Sequence, residues 1–337
     1  MNHRVFSKVV LCSLVTALVM LSAQAGAQSR RGGLYGDWQI KYQAGERERN
    51  AIISFSRDKE GNRTGQWISF MSFSDLKDFK YEDGKLSFTR TSRGRDGQTS
   101  TSKFTGTIQD GKLTGTMSSD RGEYKVEGEP APRMPRAVGT WQMKFKMQDR
   151  EINSTMAIKA DEQGKLSAEW SSERGTLEIP DVQYERGNVS FTMERKRQDR
   201  QWKVEFNGTI DRETDTLTGT FTSNRGEISV VAKRAGTPLI GTWVLESKSE
   251  RGTRKQRLKI NGDMSGLYGT IPVKNATLEG DKVTFKIAIE YGGQTFDIDF
   301  AGELEDSKLT GEMTSSRGSW KITGTKVVRT YRGRSRT

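Results

Sequence analysis

The chain has 337 residues, 55 Lys and Arg against 43 Asp and Glu, and a formal net charge of +12. It holds one cysteine and one histidine, Cys12 and His3, so no disulfide can form within it and no pair of imidazoles can share a metal.

The first 27 residues read as a signal peptide. Arg4 and Lys8 precede an apolar stretch from Val9 to Ala23, and small residues follow at Ala25 and Ala27. Leu11 before Cys12 does not fit a lipoprotein cleavage site. Cleavage removes both Cys12 and His3 and leaves a net charge of +10. The mature chain is then expected to lack Ser-His-Asp, Cys-His and His-ligated zinc chemistry, and no cofactor is expected. No later apolar run is long enough for a membrane helix, so a periplasmic or secreted protein of a bacterial envelope is expected. Its basic balance then points to acidic polysaccharide, lipopolysaccharide or anionic headgroups, and not to nucleic acid.

Beyond the leader the chain repeats itself. Gly36-Asp37-Trp38, Gly139-Thr140-Trp141 and Gly241-Thr242-Trp243 share a G-x-W triplet. Three matching blocks close the repeats, FTGTIQDGKLTGT from Phe104, FNGTIDRETDTLTGT from Phe206 and FAGELEDSKLTGE from Phe300. Pro130, Pro132, Pro135 and Pro238 fall between repeats, where proline marks linkers. The spacing predicts domains over 34–129, 137–235 and 239–328, then a basic, disordered tail over 329–337.

Within each repeat the period is two. Trp141, Met143 and Phe145 alternate with Gln142, Lys144 and Lys146, and Trp202, Val204 and Phe206 with Lys203, Glu205 and Asn207. The expectation is an all-β chain of three tandem eight-stranded antiparallel meander barrels. A doubled four-strand unit also allows a six-bladed propeller. Tight turns at Asp83-Gly84, Arg186-Gly187 and Gly280-Asp281 favour barrels, because they make the middle strands hairpin partners. A lipid-embedded barrel does not fit the large apolar side chains on one face and the Lys, Glu and Thr on the other.

A leading G-x-W on an eight-strand meander resembles the calycin group of lipocalins, fatty-acid-binding proteins and avidins. The LTGT block resembles lipocalin-like modules of exported bacterial proteins. The resemblance implies that Trp38, Trp141 and Trp243 plug one end of each barrel. Trp67 and Trp170 then face inward, with Ile271 at the matching place in the third repeat. No segment matches the group's ligand contacts, so the resemblance implies no ligand.

Meander geometry puts loops 1–2, 3–4, 5–6 and 7–8 at the end opposite the plug. Arginines gather there: Arg121, Arg225 and Arg317 in loop 7–8, with Arg90, Arg93 and Arg95 in loop 5–6 of the first repeat. Arg195, Arg197 and Arg200 take loop 5–6 of the second, and Arg254 and Arg257 loop 1–2 of the third. Acidic turns such as Asp83, Asp110 and Asp215 mark the plugged end. The sequence therefore predicts a non-catalytic binding protein with an anion-binding rim, since guanidinium forks pair with carboxylate, sulfate or phosphate. Two alternatives remain. One is carriage of a small apolar ligand inside the barrels. The other is glycan hydrolysis by paired carboxylates.

Overall fold

The computed structural model describes residues 34–45, 47–70, 72–93, 98–120, 122–147, 150–173, 175–197, 200–249, 252–291 and 293–327. The leader, the basic tail, Arg95 and Arg121 lie outside them.

Three closed eight-stranded antiparallel barrels follow one another along the chain. Barrel 1 comprises β1 (Gly36–Ala44), β2 (Arg47–Arg57), β3 (Arg63–Ile68), β4 (Phe73–Glu82), β5 (Lys85–Arg93), β6 (Thr99–Gln109), β7 (Lys112–Ser119) and β8 (Gly122–Pro130). Barrel 2 comprises β9 (Gly139–Met147), β10 (Arg150–Ala160), β11 (Leu166–Ser172), β12 (Gly175–Glu185), β13 (Asn188–Arg197), β14 (Arg200–Ile210), β15 (Thr216–Ser223) and β16 (Gly226–Arg234). Barrel 3 comprises β17 (Gly241–Ser249), β18 (Gly252–Ile260), β19 (Gly266–Tyr268), β20 (Ile271–Glu279), β21 (Lys282–Tyr291), β22 (Gln294–Glu305), β23 (Lys308–Ser315) and β24 (Gly318–Lys326).

The propeller alternative is overturned by the pairing. The predicted mid-repeat turns join hydrogen-bonded neighbours, with Glu82 opposite Lys85, Glu185 opposite Asn188 and Glu279 opposite Lys282. The first and last strands of each repeat also pair, which removes both sheet edges. The sequence pattern does not reveal a bulge in the fourth strand of every barrel, at 78–79, 180–181 and 275–276. Asp78 and Asn275 take positive φ there, a backbone region that Asp and Asn tolerate best among side chains with a Cβ.

The closing block of each repeat has a packing explanation. Phe104, Phe206 and Phe300 are buried and stack on Phe88, Phe191 and Phe285, with ring centroids 4.7, 4.8 and 4.6 Å apart. Each ring then lies over a cross-strand glycine pair, Gly106 with Gly115, Gly208 with Gly219 and Gly302 with Gly311. The F-x-G and L-T-G elements of the repeat are thus one feature, a ring seated on two residues without side chains.

The barrels are not separate beads, because residues from Leu34 onward form one compact unit. Barrel 3 touches both of its neighbours through β18 and the turn after it. Against barrel 1, Arg257 donates to Asp37 at 3.0 and 3.3 Å and Lys259 donates at 3.1 Å. Beside them the Gln256 amide donates to the carbonyls of Ser69 and Phe70, and its oxygen accepts from the Arg257 N–H. Phe70 packs against the core of barrel 3, and the carbonyl of Ser69 before it lies against Gly269, just after the short β19. Against barrel 2, Gly262 lies directly against Val138 and Gly139. Ile52 and Ile68 are buried although they alternate with the inward-facing Ile53 and Trp67 and take no part in the core of barrel 1. They lie on the outer face of the barrel that also carries Asp37. Phe70→Ala should therefore cost about 1–2 kcal/mol of burial, read as a lower urea midpoint with little change in slope.

Candidate functional site

The two ends of each barrel are built from different residues: the end of the G-x-W tryptophan, called the plugged end, and the opposite one, called the open end. At the plugged ends Trp38, Trp141 and Trp243 are fully buried, and each indole N–H donates to the carbonyl four residues earlier, at 2.8–2.9 Å. In barrel 2 the Trp is covered by Arg234, whose guanidinium carbon lies 4.1 Å from the ring centroid. Arg234 donates to Asp215 at 2.7 Å and to the carbonyls of Val138 and Arg136. In barrel 3 Lys326 takes the same place over Trp243 and donates to Pro238 O at 2.7 Å. Burial lowers the pKa of that ammonium. Pro130 stands opposite Trp38 in barrel 1, and there Arg133 donates to Tyr35 O at 2.7 Å. A crevice of about 360 Å³ between barrels 2 and 3 is lined in part by Arg136, Asp215, Arg234 and Lys326. Asp215 accepts from both arginines, but one carboxylate against three cations leaves the lining net positive.

The predicted rim residues divide into several groups. Arg225 and Arg317 are exposed in two-residue turns at the open ends. The Arg317 guanidinium rests 4.0 Å above the Phe296 ring. Arg254 is exposed near the start of β18, close enough to Tyr268 for its charge to act on it. Burial pushes that phenol up to about 12 and outweighs the Arg254 charge. Arg93, Arg195, Arg197 and Arg200 lie at strand ends beside the open mouths, Arg93 closing β5, Arg195 and Arg197 ending β13 and Arg200 opening β14.

Two arginines are not loop residues. Arg257 sits inside β18 with its side chain only 4% exposed, held by Asp37 at the junction of barrels 1 and 3. Burial opposes ionisation of Asp37, but Arg257 and Lys259 outweigh it and hold the carboxyl well below the usual carboxylate range. Arg90 lies within β5, on the inward face that also carries Leu86 and Phe88. Its guanidinium carbon is 4.8 Å from the Trp67 ring centroid, and it bonds to Tyr124. The place of Trp67 and Trp170 is taken in barrel 3 by Tyr268, not Ile271. Trp67 pairs across from Ile53, Trp170 from Met156 and Tyr268 from Leu258.

The acidic turns answer to turn geometry. Asp83, Asp110, Asp215 and Asp306 take positive φ, and Asp58, Asp161 and Asp211 accept from backbone N–H groups just after them. Among the described residues no fully buried polar side chain is a carboxylate, and no cluster of His, Cys, Asp and Glu suits a metal ion.

No protein-family model matches the chain, and no curated protein matches it. Among solved structures it is similar to a candidate outer membrane protein of Bacteroides fragilis, at 12% identity over 59% of this chain and 95% of that one, with a TM-score of 0.23. A Nostoc punctiforme protein of unknown function from the DUF3598 family follows at 11% identity, 87% and 96% coverage, and a TM-score of 0.18. A transferrin binding protein B from Haemophilus parasuis stands at 11%, 89% and 77%, and 0.18. These scores are far below 0.5, so none of the three bears on what this chain does. Its own pairing defines it as a protein of three consecutive closed eight-stranded barrels.

Proposed function

We propose that this is an exported, non-catalytic protein of the bacterial envelope that binds an anionic glycan, lipopolysaccharide or lipid headgroup through the open ends of its barrels. One contrast between its cations supports the reading. Arg234, Arg257, Arg136 and Lys326 are consumed by carboxylates and carbonyls at the plugged ends and junctions. Arg225, Arg254 and Arg317, at the open ends of barrels 2 and 3, make no ion pair among the described residues. Three mouths on one compact unit suit a repeating polymer, since a second contact on the same chain is gained at high effective concentration. Carriage of an apolar ligand has less support, because stacked Phe pairs and inward tryptophans occupy the interiors.

Retention on an immobilised acidic polysaccharide tests the rim. Arg225→Ala, Arg254→Ala and Arg317→Ala together should bring elution to clearly lower salt, because exposed charges act through a screened field. Elution of the triple variant at the wild-type salt would remove these arginines from the binding surface.

A further inference from the structure

The three barrels place different side chains at one equivalent interior layer, just inside the open mouth. In barrel 2 that layer holds Phe145, Trp170, Met193, Val204 and Ile228, all apolar. In barrel 3 Ile287, Ile298 and Trp320 stand at the places of Met193, Val204 and Ile228. In barrel 1 the corresponding residues are Tyr42, Trp67, Arg90, Ser102 and Tyr124. Ser247 and Tyr268 take the two remaining places in barrel 3, so only barrel 2 is apolar throughout, and barrel 1 alone carries a cation among these five places, beside a buried serine and two phenols.

This polar layer is not internally satisfied. Among the described residues Arg90 faces no carboxylate, only the phenols of Tyr42 and Tyr124. Its Nε is closed off from solvent without a hydrogen-bond acceptor. Trp67 is 1% exposed and its indole N–H has no acceptor either; Trp170 shares that in barrel 2, so the charged Arg90 is what sets barrel 1 apart. A buried guanidinium donor left unmade, on a charge with no carboxylate among the described residues, is costly, and a bound anion would satisfy both.

We infer that the mouth of barrel 1 binds the carboxylate of an acidic sugar, with Arg90 as its counter-ion and the Trp67 indole N–H as a second donor. A single guanidinium balances one negative charge, which suits a carboxylate better than a phosphate dianion. Phe88 and Phe104 fill the layer beneath, so an acyl chain has no room to run inward and the rest of the ligand stays at the mouth. Tyr42 and Tyr124, with centroids 5.3 Å apart and rings tilted by 30°, line that mouth with aromatic surface against which a sugar ring can lie. The inference depends on the open end being the ligand-facing end, but on none of the rim arginines.

Titration of the full-length mature protein with tri-galacturonate, its methyl ester and octanoate tests this. Tri-galacturonate should bind, and its neutral ester should bind at least tenfold more weakly. Arg90→Met should lower the affinity at least tenfold without loss of stability, because barrel 2 already carries Met193 at that place. Trp67→Phe, which removes the donor and keeps a ring, should weaken binding several-fold. Failure of the wild type to bind, or equal affinity in Arg90→Met, overturns the site. A less stable Arg90→Met protein with unchanged affinity assigns Arg90 to the scaffold and overturns it too. Tighter binding of octanoate than of tri-galacturonate overturns the acidic-sugar assignment. The polysaccharide column reads arginines of barrels 2 and 3 and this titration reads barrel 1, so the two readings fail separately.

Discussion

Replacement of Asp37 by alanine should destabilise the protein by about 3–5 kcal/mol, the range for removing one partner of a buried ion pair. The Asp37 side chain is 11% exposed and that of Arg257 4%, so neither charge is solvated in compensation once the other is gone. Asp37→Ala leaves Arg257 charged, buried and with two unmade donors, and Lys259 loses its acceptor. Asp37→Ala combined with Arg257→Met should recover much of the loss, since no charge is left buried and the Met side chain still packs. Urea unfolding followed by tryptophan emission gives both numbers. A change below about 1 kcal/mol for Asp37→Ala would place the pair among surface bridges of little net worth.

The same pair sets an acid limit. The folded Asp37 carboxyl ionises well below its unfolded value of 3.8, so the folded state binds its proton less readily. Its contribution is therefore complete above that value and is lost as pH falls through the ordinary carboxylate range toward the folded one. Stability measured between about pH 5 and pH 2 should decline more steeply in the wild type than in the doubly substituted protein, where this residue no longer titrates.

The barrels were legible because alternation, turn chemistry and repetition all point the same way. Trp141, Met143 and Phe145 read as one inward face, and Asp83-Gly84 reads as a hairpin turn whether or not the rest of the chain is known. The junctions were not legible for a physical reason. Arg257 is on the outward, polar side of β18, where alternation predicts water, and only docking of a second barrel buries it. A weaker signal was present. Asp37 fills the variable place of the G-x-W triplet that Thr140 and Thr242 occupy in the other repeats, and Gln256 interrupts the inward row that continues with Leu258 and Ile260. Arg90 could likewise have been found. It follows Leu86 and Phe88 on an apolar face, where an arginine needs an explanation that a neighbouring loop does not supply. The arginine-rich sequence just after it drew it into the loop.

Gly219→Ala should destabilise barrel 2 by about 3 kcal/mol, the upper part of the range for overpacking a core. A Cβ at that place would lie 2.6 Å from Asn207 O, 2.7 Å from Phe206 Cζ and 2.8 Å from Gly208 Cα. The ring could turn aside, but two of the three obstacles are backbone atoms of β14 that belong to the ladder with β15. The clash can thus be relieved only by parting paired strands or by tilting Phe206 off Phe191, and both carry a cost. Gly219→Ala with Phe206→Leu separates the two contributions. If the ring dominates, the leucine restores most of the stability that its own cavity does not remove; if the backbone dominates, the two losses add. The second outcome is expected, because the glycine pair recurs under Phe104, Phe206 and Phe300 in all three barrels, and in each the facing strand lies as close as the ring. The recurring F-x-G and L-T-G pattern is then a requirement of strand approach before it is one of aromatic packing. Thermal unfolding of the single and double variants, with the Phe206→Leu protein as reference, measures which it is.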